Sequence, residues 1–282
     1  MSEISRIITD TRAYSCLDCG KCTTACPISN YDPNYSPRKV VYSALSGDRT
    51  ELLRNGQLWA CITCSMCEER CQSGVQYTEL IRSLRMEAHG LGETGQCTHG
   101  GALESLMNIM TADHLNQNRL GWVDKSLKTA TEGETLYFVG CQPYFDVLFS
   151  DIGVNTLGIA KGAVKLLNRL DIVPALLPNE RCCGHDLLWA GDMEHFVRLA
   201  EHNLKEISKA KAKRVVTTCP ECYLTLKVEY PRYFGTLDFE VVHLSQLLAE
   251  AVAEGRLKFR RSVKKVTYHD PCRLGRFSGI YN

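Results

Sequence analysis

Apolar and polar positions follow different periods in the two halves of the chain. Tyr77, Leu80, Ile81 and Leu84 recur at helical spacing with Glu79, Arg82 and Arg85 on other faces, which predicts an amphipathic helix near 77–88. Gly90, Gly92 and Gly95 then break it. Upstream, the segment from Pro27 to Ala60 is rich in helix formers, and Ser36 followed by Pro37 reads as an N-cap with proline at the first helical position. Leu103 to Leu115 reads as a further, bridging helix, and 129–133 as a loop. From Thr135 the pattern changes. Short β-rich runs at 136–139, 173–177, 214–218, 239–242 and 266–268 alternate with helical stretches near 156–170, 192–210, 219–229 and 244–254. In the longest of these, with Asp192 as its cap, Met193, Phe196, Val197, Ala200, Leu204 and Ile207 line one face. Strand–helix alternation implies an α/β domain with a mostly parallel sheet, behind a helical first part, so that the chain is α+β overall.

A chain of 282 residues is long enough for two compact units with separate cores. With 44% hydrophobic and 23% charged residues it has the composition of a packed globular protein, and a net charge of +1 offers no electrostatic case for nucleic acid or an anionic membrane. No apolar stretch is long enough to span a bilayer directly, and the N-terminus has no apolar run with a small-residue cleavage site. Fifteen cysteines without an export signal point to a reducing compartment, where thiols serve metals or catalysis; the expected location is the cytoplasm, with any membrane association made through a partner subunit.

The spacing of those cysteines carries the chemistry. Cys16, Cys19, Cys22 and Cys26 follow the C-x2-C-x2-C-x3-C run of bacterial cluster-binding proteins, with Pro27 after them; Cys61, Cys64, Cys67 and Cys71 repeat it, with Gln72 in place of the proline. Three thiolates two residues apart wrap a short loop around one cubane, whose fourth iron is ligated from elsewhere, so paired runs exchange their fourth cysteines. The expected ligand sets for two [4Fe-4S] clusters are therefore Cys16, Cys19, Cys22 and Cys71, and Cys61, Cys64, Cys67 and Cys26. A structural zinc site would instead use a CxxC pair, a gap and a second pair. The helical surroundings predict a helical ferredoxin-like module over 1–95, followed by a helical connector over 96–134 and a cysteine-rich domain over 135–282. Tyr14 and Trp59, just before the two loops, are expected to shield the clusters from water.

In the second part, Cys141, the pair Cys182 and Cys183 before Gly184, and Cys219 with Cys222 each fall just after a predicted strand. Groups beyond the carboxyl ends of parallel strands converge on one sheet edge, so five thiols are expected at one place. Adjacent cysteines are awkward for a single cubane unless the backbone turns sharply, for which Gly184 supplies the freedom, and a larger cluster would suit them better. The pattern Cys141-x40-Cys182-Cys183-x35-Cys219-x2-Cys222 resembles the CCG signature of the heterodisulfide reductase family. The segment from His269 to Arg276, with Cys272, resembles the opening of a second copy, so the domain's second half is read as truncated, completed by a longer chain or a partner. Paired cluster motifs followed by a CCG domain is the order of the heterodisulfide reductase D subunit, and of the iron–sulfur subunits of anaerobic glycerol-3-phosphate dehydrogenase and glycolate oxidase. The resemblance implies a non-cubane [4Fe-4S] cluster on Cys141, Cys182, Cys183, Cys219 and Cys222, where a disulfide is cleaved in paired one-electron steps. It further implies a subunit fed by a flavoprotein, a hydrogenase or a membrane cytochrome subunit and reducing a disulfide or another small redox acceptor. The rival expectation is a non-catalytic relay from a flavin dehydrogenase of glycerol-3-phosphate, glycolate or lactate type to quinone.

Three further features are weighed. Cys97 is isolated and reads as a plain thiol. His185, after the CCG turn, reads either as a donor to a cluster sulfur or substrate thiolate or as a plain surface or core histidine. No glycine-rich fingerprint follows a predicted strand, so bound flavin or nicotinamide is not indicated.

Overall fold

The computed structural model describes residues 3–46, 49–95, 101–260 and 263–281. The chain forms two compact units: Met1–Ser105 with Asp186–Glu194 and Gly275–Asn282, and Leu106–His185 with His195–Leu274.

The first unit is helical. Helices α1 (Glu3–Asp10), α2 (Lys21–Ala25), α3 (Pro27–Tyr31), α4 (Pro37–Ser46), α5 (Arg49–Arg54), α6 (Met66–Glu69) and α7 (Tyr77–Gly90) follow one another, and α8 (Ala102–Met110) begins at its end. Ser36 caps α4 as the sequence suggested: its hydroxyl accepts from the Lys39 N–H at 3.4 Å, with Pro37 at the first turn, where its missing N–H costs nothing. Val40, Val41 and Ala44 of α4 share one core cluster with Leu80, Ile81, Leu84 and Ala88 of α7, which also takes in Leu58, Tyr35 and Tyr77. Fully burying each of the larger aliphatic side chains contributes about 1.5–3 kcal/mol.

The polar face expected of α7 is not what forms. Arg82 and Arg85 are buried, because each finds partners inside the unit: Arg82 pairs with Glu79 and stacks 5.2 Å over the Trp189 ring, and Arg85 serves main-chain carbonyls. The bridging helix is shorter than expected and ends at Met110, where the Thr111 hydroxyl donates to the Asn108 carbonyl at 2.7 Å.

The second unit continues with β1 (Thr135–Phe138), α9 (Gln142–Leu148), α10 (Thr156–Arg169), the start of α11 (His185–Ala190), α12 (Met193–Lys209), β2 (Arg214–Thr217), α13 (Pro220–Leu224), α14 (Tyr230–Phe234), β3 (Glu240–His243) and α15 (Leu244–Ala253). Its sheet is parallel in the order β1-β2-β3, with Leu136 opposite Val215 and Val215 opposite Val241. Parallel strands buried on both faces read as continuous apolar runs, as Val215–Val216 and Val241–Val242 do.

Two expected strands differ. Residues 173–177 give only bridges from Ala175 to Leu136 and Ala130, since Pro174 within the run has no N–H for a ladder. Residues 266–268 form no strand: Val266 and Tyr268 are 87% and 76% exposed, and an apolar run without a neighbouring strand has no ladder to join. The helix expected over 219–229 is interrupted by a π turn at Thr225–Glu229, after which α14 restarts with Pro231 in its first turn.

Among the described residues, no helix is long and apolar enough to cross a membrane.

Candidate functional site: two groups of thiols

The two cysteine loops of the first unit are conformational copies. Asp18 and Gly20 in the first, and Thr63 and Ser65 in the second, adopt left-handed backbone, at φ 52°, 77°, 48° and 62°. Each loop runs straight into a short helix, α2 or α6. Left-handed residues other than glycine are strained, β-branched Thr63 most of all, and such strain persists where the surroundings impose it. Alternating handedness turns amides toward a common centre. The Thr63 N–H donates to Cys61 Sγ at 3.3 Å. Beyond the loops, Cys26 Sγ caps α3 by accepting from Ser29 N–H at 3.5 Å, and Cys71 Sγ accepts from Val75 N–H at 3.4 Å.

Cys26, from the first run, lines one pocket together with Cys61, Cys64 and Cys67 of the second. Tyr35, Tyr77, Ile28 and Ile62 complete its wall. The Tyr35 and Tyr77 hydroxyls bond each other at 2.8 Å, and Tyr35 also bonds Cys61. Burial raises the Cys67 and Cys61 thiols above their ordinary value, opposed at Cys61 by the Arg85 guanidinium. Arg85 donates to the Cys61 carbonyl at 2.5 Å, to Leu58 O at 2.7 Å and to Trp189 O at 2.6 Å.

The other quartet is more open. Cys16, Cys22 and Cys71 are half-buried against the same core cluster, Cys19 is exposed, and the Ser15 hydroxyl donates to Ser73 O at 3.1 Å, drawing the first loop to the end of the second. Cys22 is raised by burial, with Cys16 adding to the shift, and Cys67 lies within electrostatic reach of both Cys22 and Cys26. Tyr14 is 62% exposed; the aromatics lining the shared pocket are Tyr35 and Tyr77, while half-buried Trp59 donates to Ala190 O at 3.2 Å.

In the second unit the five thiols form an unbroken series of contacts: Cys141 with Cys182, Cys182 with Cys183, Cys183 with Cys222, and Cys222 with Cys219. Strand geometry brings them together. Cys141 follows β1 and Cys219 follows its neighbour β2, both at the carboxyl edge. Gly184, at φ 83°, makes the turn after the adjacent pair, and a Cβ there would lie 2.8 Å from the Phe196 ring. Cys182 is held well below the ordinary thiol value by bonds from Cys141 and Cys183, with help from the Gly184 N–H at 3.4 Å and from Arg119. Cys141, Cys183 and Cys222 shift up, first through those same neighbouring thiols.

Sequence reasoning missed the polar frame around this group. Asn203 of α12, wholly buried, accepts from Arg181 N–H at 2.9 Å and donates to Cys182 O at 2.8 Å, and the Tyr230 hydroxyl donates to Cys183 O at 3.1 Å. On another side, Arg119 and Glu180 form a buried ion pair at 2.7 Å. Burial pushes the Glu180 carboxyl up to about 7 against the pull of Arg119 and two backbone N–H groups. An amide on a mostly apolar helix face, and charges directly before a buried cysteine pair, were the available signals.

His185 takes the core alternative. It is buried, its Nδ1 lies 3.1 Å from the Thr225 hydroxyl and its Nε2 3.6 Å from Glu221, and burial lowers its pKa well below the usual range. Cys272 is half-buried in a turn, and Cys97 lies outside the described residues.

Comparison with known proteins gives two family matches: the 4Fe-4S dicluster domain over residues 15–75 and the CCG cysteine-rich domain over 135–227. The D subunit of the dihydromethanophenazine:CoB–CoM heterodisulfide reductase of Methanosarcina mazei is 31% identical, across 95% of this chain and 70% of its own length. The EtfAB:quinone oxidoreductase of Syntrophomonas wolfei is 26% identical across 95% of this chain and 43% of its own length. The B subunit of the CoM/CoB fumarate reductase of Methanothermobacter marburgensis is 25% identical across 94% and 52%.

Proposed function

This chain belongs to the family of the heterodisulfide reductase D subunit, a family of iron–sulfur oxidoreductases, and we propose that it carries electrons from a redox partner to a disulfide. The partner is a flavoprotein, a hydrogenase or a membrane cytochrome subunit. In this reading residues 1–95 hold two [4Fe-4S] clusters, one on Cys16, Cys19, Cys22 and Cys71 and one on Cys61, Cys64, Cys67 and Cys26. Residues 96–134 connect them to a domain over 135–282, whose Cys141, Cys182, Cys183, Cys219 and Cys222 hold a non-cubane [4Fe-4S] cluster. When bound, the clusters supply the one-electron steps, two of which, with two protons, convert a disulfide into two thiols.

The observation that carries the reading is the unbroken contact series through five thiols at one sheet edge. Soft thiolates suit iron–sulfur clusters, and five exceed the four ligands of a structural zinc site. The pocket shared by Cys26 with Cys61, Cys64 and Cys67 supports the exchange of fourth cysteines. The chain's own groups do the rest. Tyr35 and Tyr77 keep water from the second quartet, and the N–H donors of Ser29, Thr63, Val75 and Gly184 place partial positive charge at sulfur, which favours the reduced state.

The test is anaerobic reconstitution followed by disulfide reduction with reduced viologen as donor. The expected wild-type load is about twelve irons, and Cys183→Ser is expected to fall to about eight and lose disulfide reduction while keeping both ferredoxin-type clusters. A variant that reduces disulfides as fast as the wild type would exclude the five-thiol site as the place of reaction. The similarity to the EtfAB:quinone oxidoreductase favours a second reading, a relay towards quinone. A loaded chain that passes viologen electrons to a quinone and to no disulfide would establish it.

A further inference from the structure

Arg119 and Glu180 pair at 2.7 Å with side chains each 1% exposed. Their other bonds go to the backbone that carries the five thiols. Arg119 donates to Gly140 O at 2.6 Å and to the main-chain carbonyl of Glu180 at 2.6 Å. The Glu180 carboxylate accepts from Gly140 N–H at 2.7 Å and from Val139 N–H at 3.3 Å. Gly140 is therefore held through both its N–H and its C=O, one residue before Cys141, by a pair rooted two residues before Cys182. Gln117 extends the tie, donating to Glu180 O at 2.9 Å and accepting from the Tyr144 hydroxyl of α9 at 2.5 Å.

A buried ion pair is a poor device for stability alone, since apolar side chains of similar volume often serve as well or better. What directional bonds add is register. Little slack is available here: a Cβ at Gly140, which sits at φ 68°, would lie 3.1 Å from Cys222 Sγ, so a shift of this peptide moves Cys141 and crowds Cys222 together.

We propose that the Arg119–Glu180 pair is the positioning device of the five-thiol site, fixing the separation of Cys141 from Cys182 and so the environment of the cluster they hold. The second clause rests on the ligand assignment above; the first does not. Both residues hold the Gly140 peptide and neither is a ligand; the charge that Arg119 also lends to Cys182 is what Arg119→Lys retains.

The experiment compares the full-length wild type with Arg119→Met/Glu180→Met, which removes both charges and keeps apolar bulk, and with Arg119→Lys, which keeps the charge without the planar fork. In iron-free, fully reduced protein, oxidation by diamide with peptide mapping reads how fast a Cys141–Cys182 disulfide closes. The double variant is expected to close it at least tenfold more slowly, with Arg119→Lys in between. In reconstituted protein, potentiometric titration followed by electron paramagnetic resonance is expected to leave the two ferredoxin-type signals in place. The third is expected to shift by at least a tenfold change in its redox equilibrium, 59 mV for a one-electron couple. Should the double variant not fold, Glu180→Gln carries the same readouts in the same direction. Equal closure rates in variant and wild type would overturn the proposal. Slowed closure in a protein whose wild type never loads more than about eight irons would keep the positioning role and refute the ligand assignment instead.

Discussion

Arg85 shows how much one buried cation can organise. Its guanidinium satisfies the carbonyls of Leu58, Cys61 and Trp189, from two separate stretches of the first unit, while lying beside the Cys61 thiol. Arg85→Met removes these donors together and leaves carbonyls unserved in a dry interior, so urea unfolding of the iron-free protein is expected to show a loss of about 3 kcal/mol. Arg85→Lys should recover only part of it, because an ammonium cannot reach carbonyls in the fork geometry. Full recovery by lysine would mean that charge, not hydrogen bonding, is what the site needs. None of this was visible in the helical period of α7, where Arg85 falls off the apolar stripe; its partners at Leu58 and Cys61 are brought to it only by the fold. The cysteines differ. Their spacing is local and readable at three-residue intervals, and the pocket that Cys26 lines with Cys61, Cys64 and Cys67 is the one that the proposed exchange of fourth cysteines would use.

At the level of elements, α12 combines a readable period with an unreadable detail. The expected stripe included Val197 and Leu204, which are only half-buried; Phe196, Leu199, Ala200, Asn203 and Ile207 are buried instead. The stripe is rotated because Asn203 faces inward to bind the Arg181 and Cys182 peptide groups. Asn203→Ala leaves a buried N–H and a buried C=O without partners, which costs about 2–4 kcal/mol. Thermal melts should show that loss in the second unit, and iron content should fall with it, whereas Leu204→Ala should cost less. A melt unchanged by Asn203→Ala would mean that the Tyr230 bond alone holds the turn. Strands were legible where β-branched pairs are flanked by partners, as in β2 and β3. At 173–177 proline limits pairing to single bridges, and 266–268 find no ladder partner among the described residues, a non-local fact that composition does not carry.

For the molecule as a whole, the two units depend differently on what the thiols hold. The first has helices of four to fourteen residues, and its core cluster includes Cys26 and Cys67, with Cys16, Cys22, Cys61 and Cys71 packed against it. Helices this short draw their stability from packing rather than propensity, and here part of that packing surrounds the ligand pockets. Thiols without iron would leave strained left-handed turns at Asp18, Thr63 and Ser65 with nothing to impose them. The second unit has a three-stranded sheet and a core cluster of Tyr137, Val164, Leu167, Val216 and Leu247 that holds no cysteine among the described residues, its buried thiols Cys182, Cys183 and Cys222 lying outside that cluster. Cluster loss should therefore loosen the units unequally, since binding free energy that folds a site is lost with the metal. Hydrogen exchange on iron-loaded and iron-stripped protein reads this directly. Amides over 16–31 and 61–75 should lose protection by at least tenfold, while those of β1, β2 and α10 hold theirs. Equal loss in both units would show that the second core cannot stand without its own cluster, and no loss in either would mean that the loops are shaped by the helices alone.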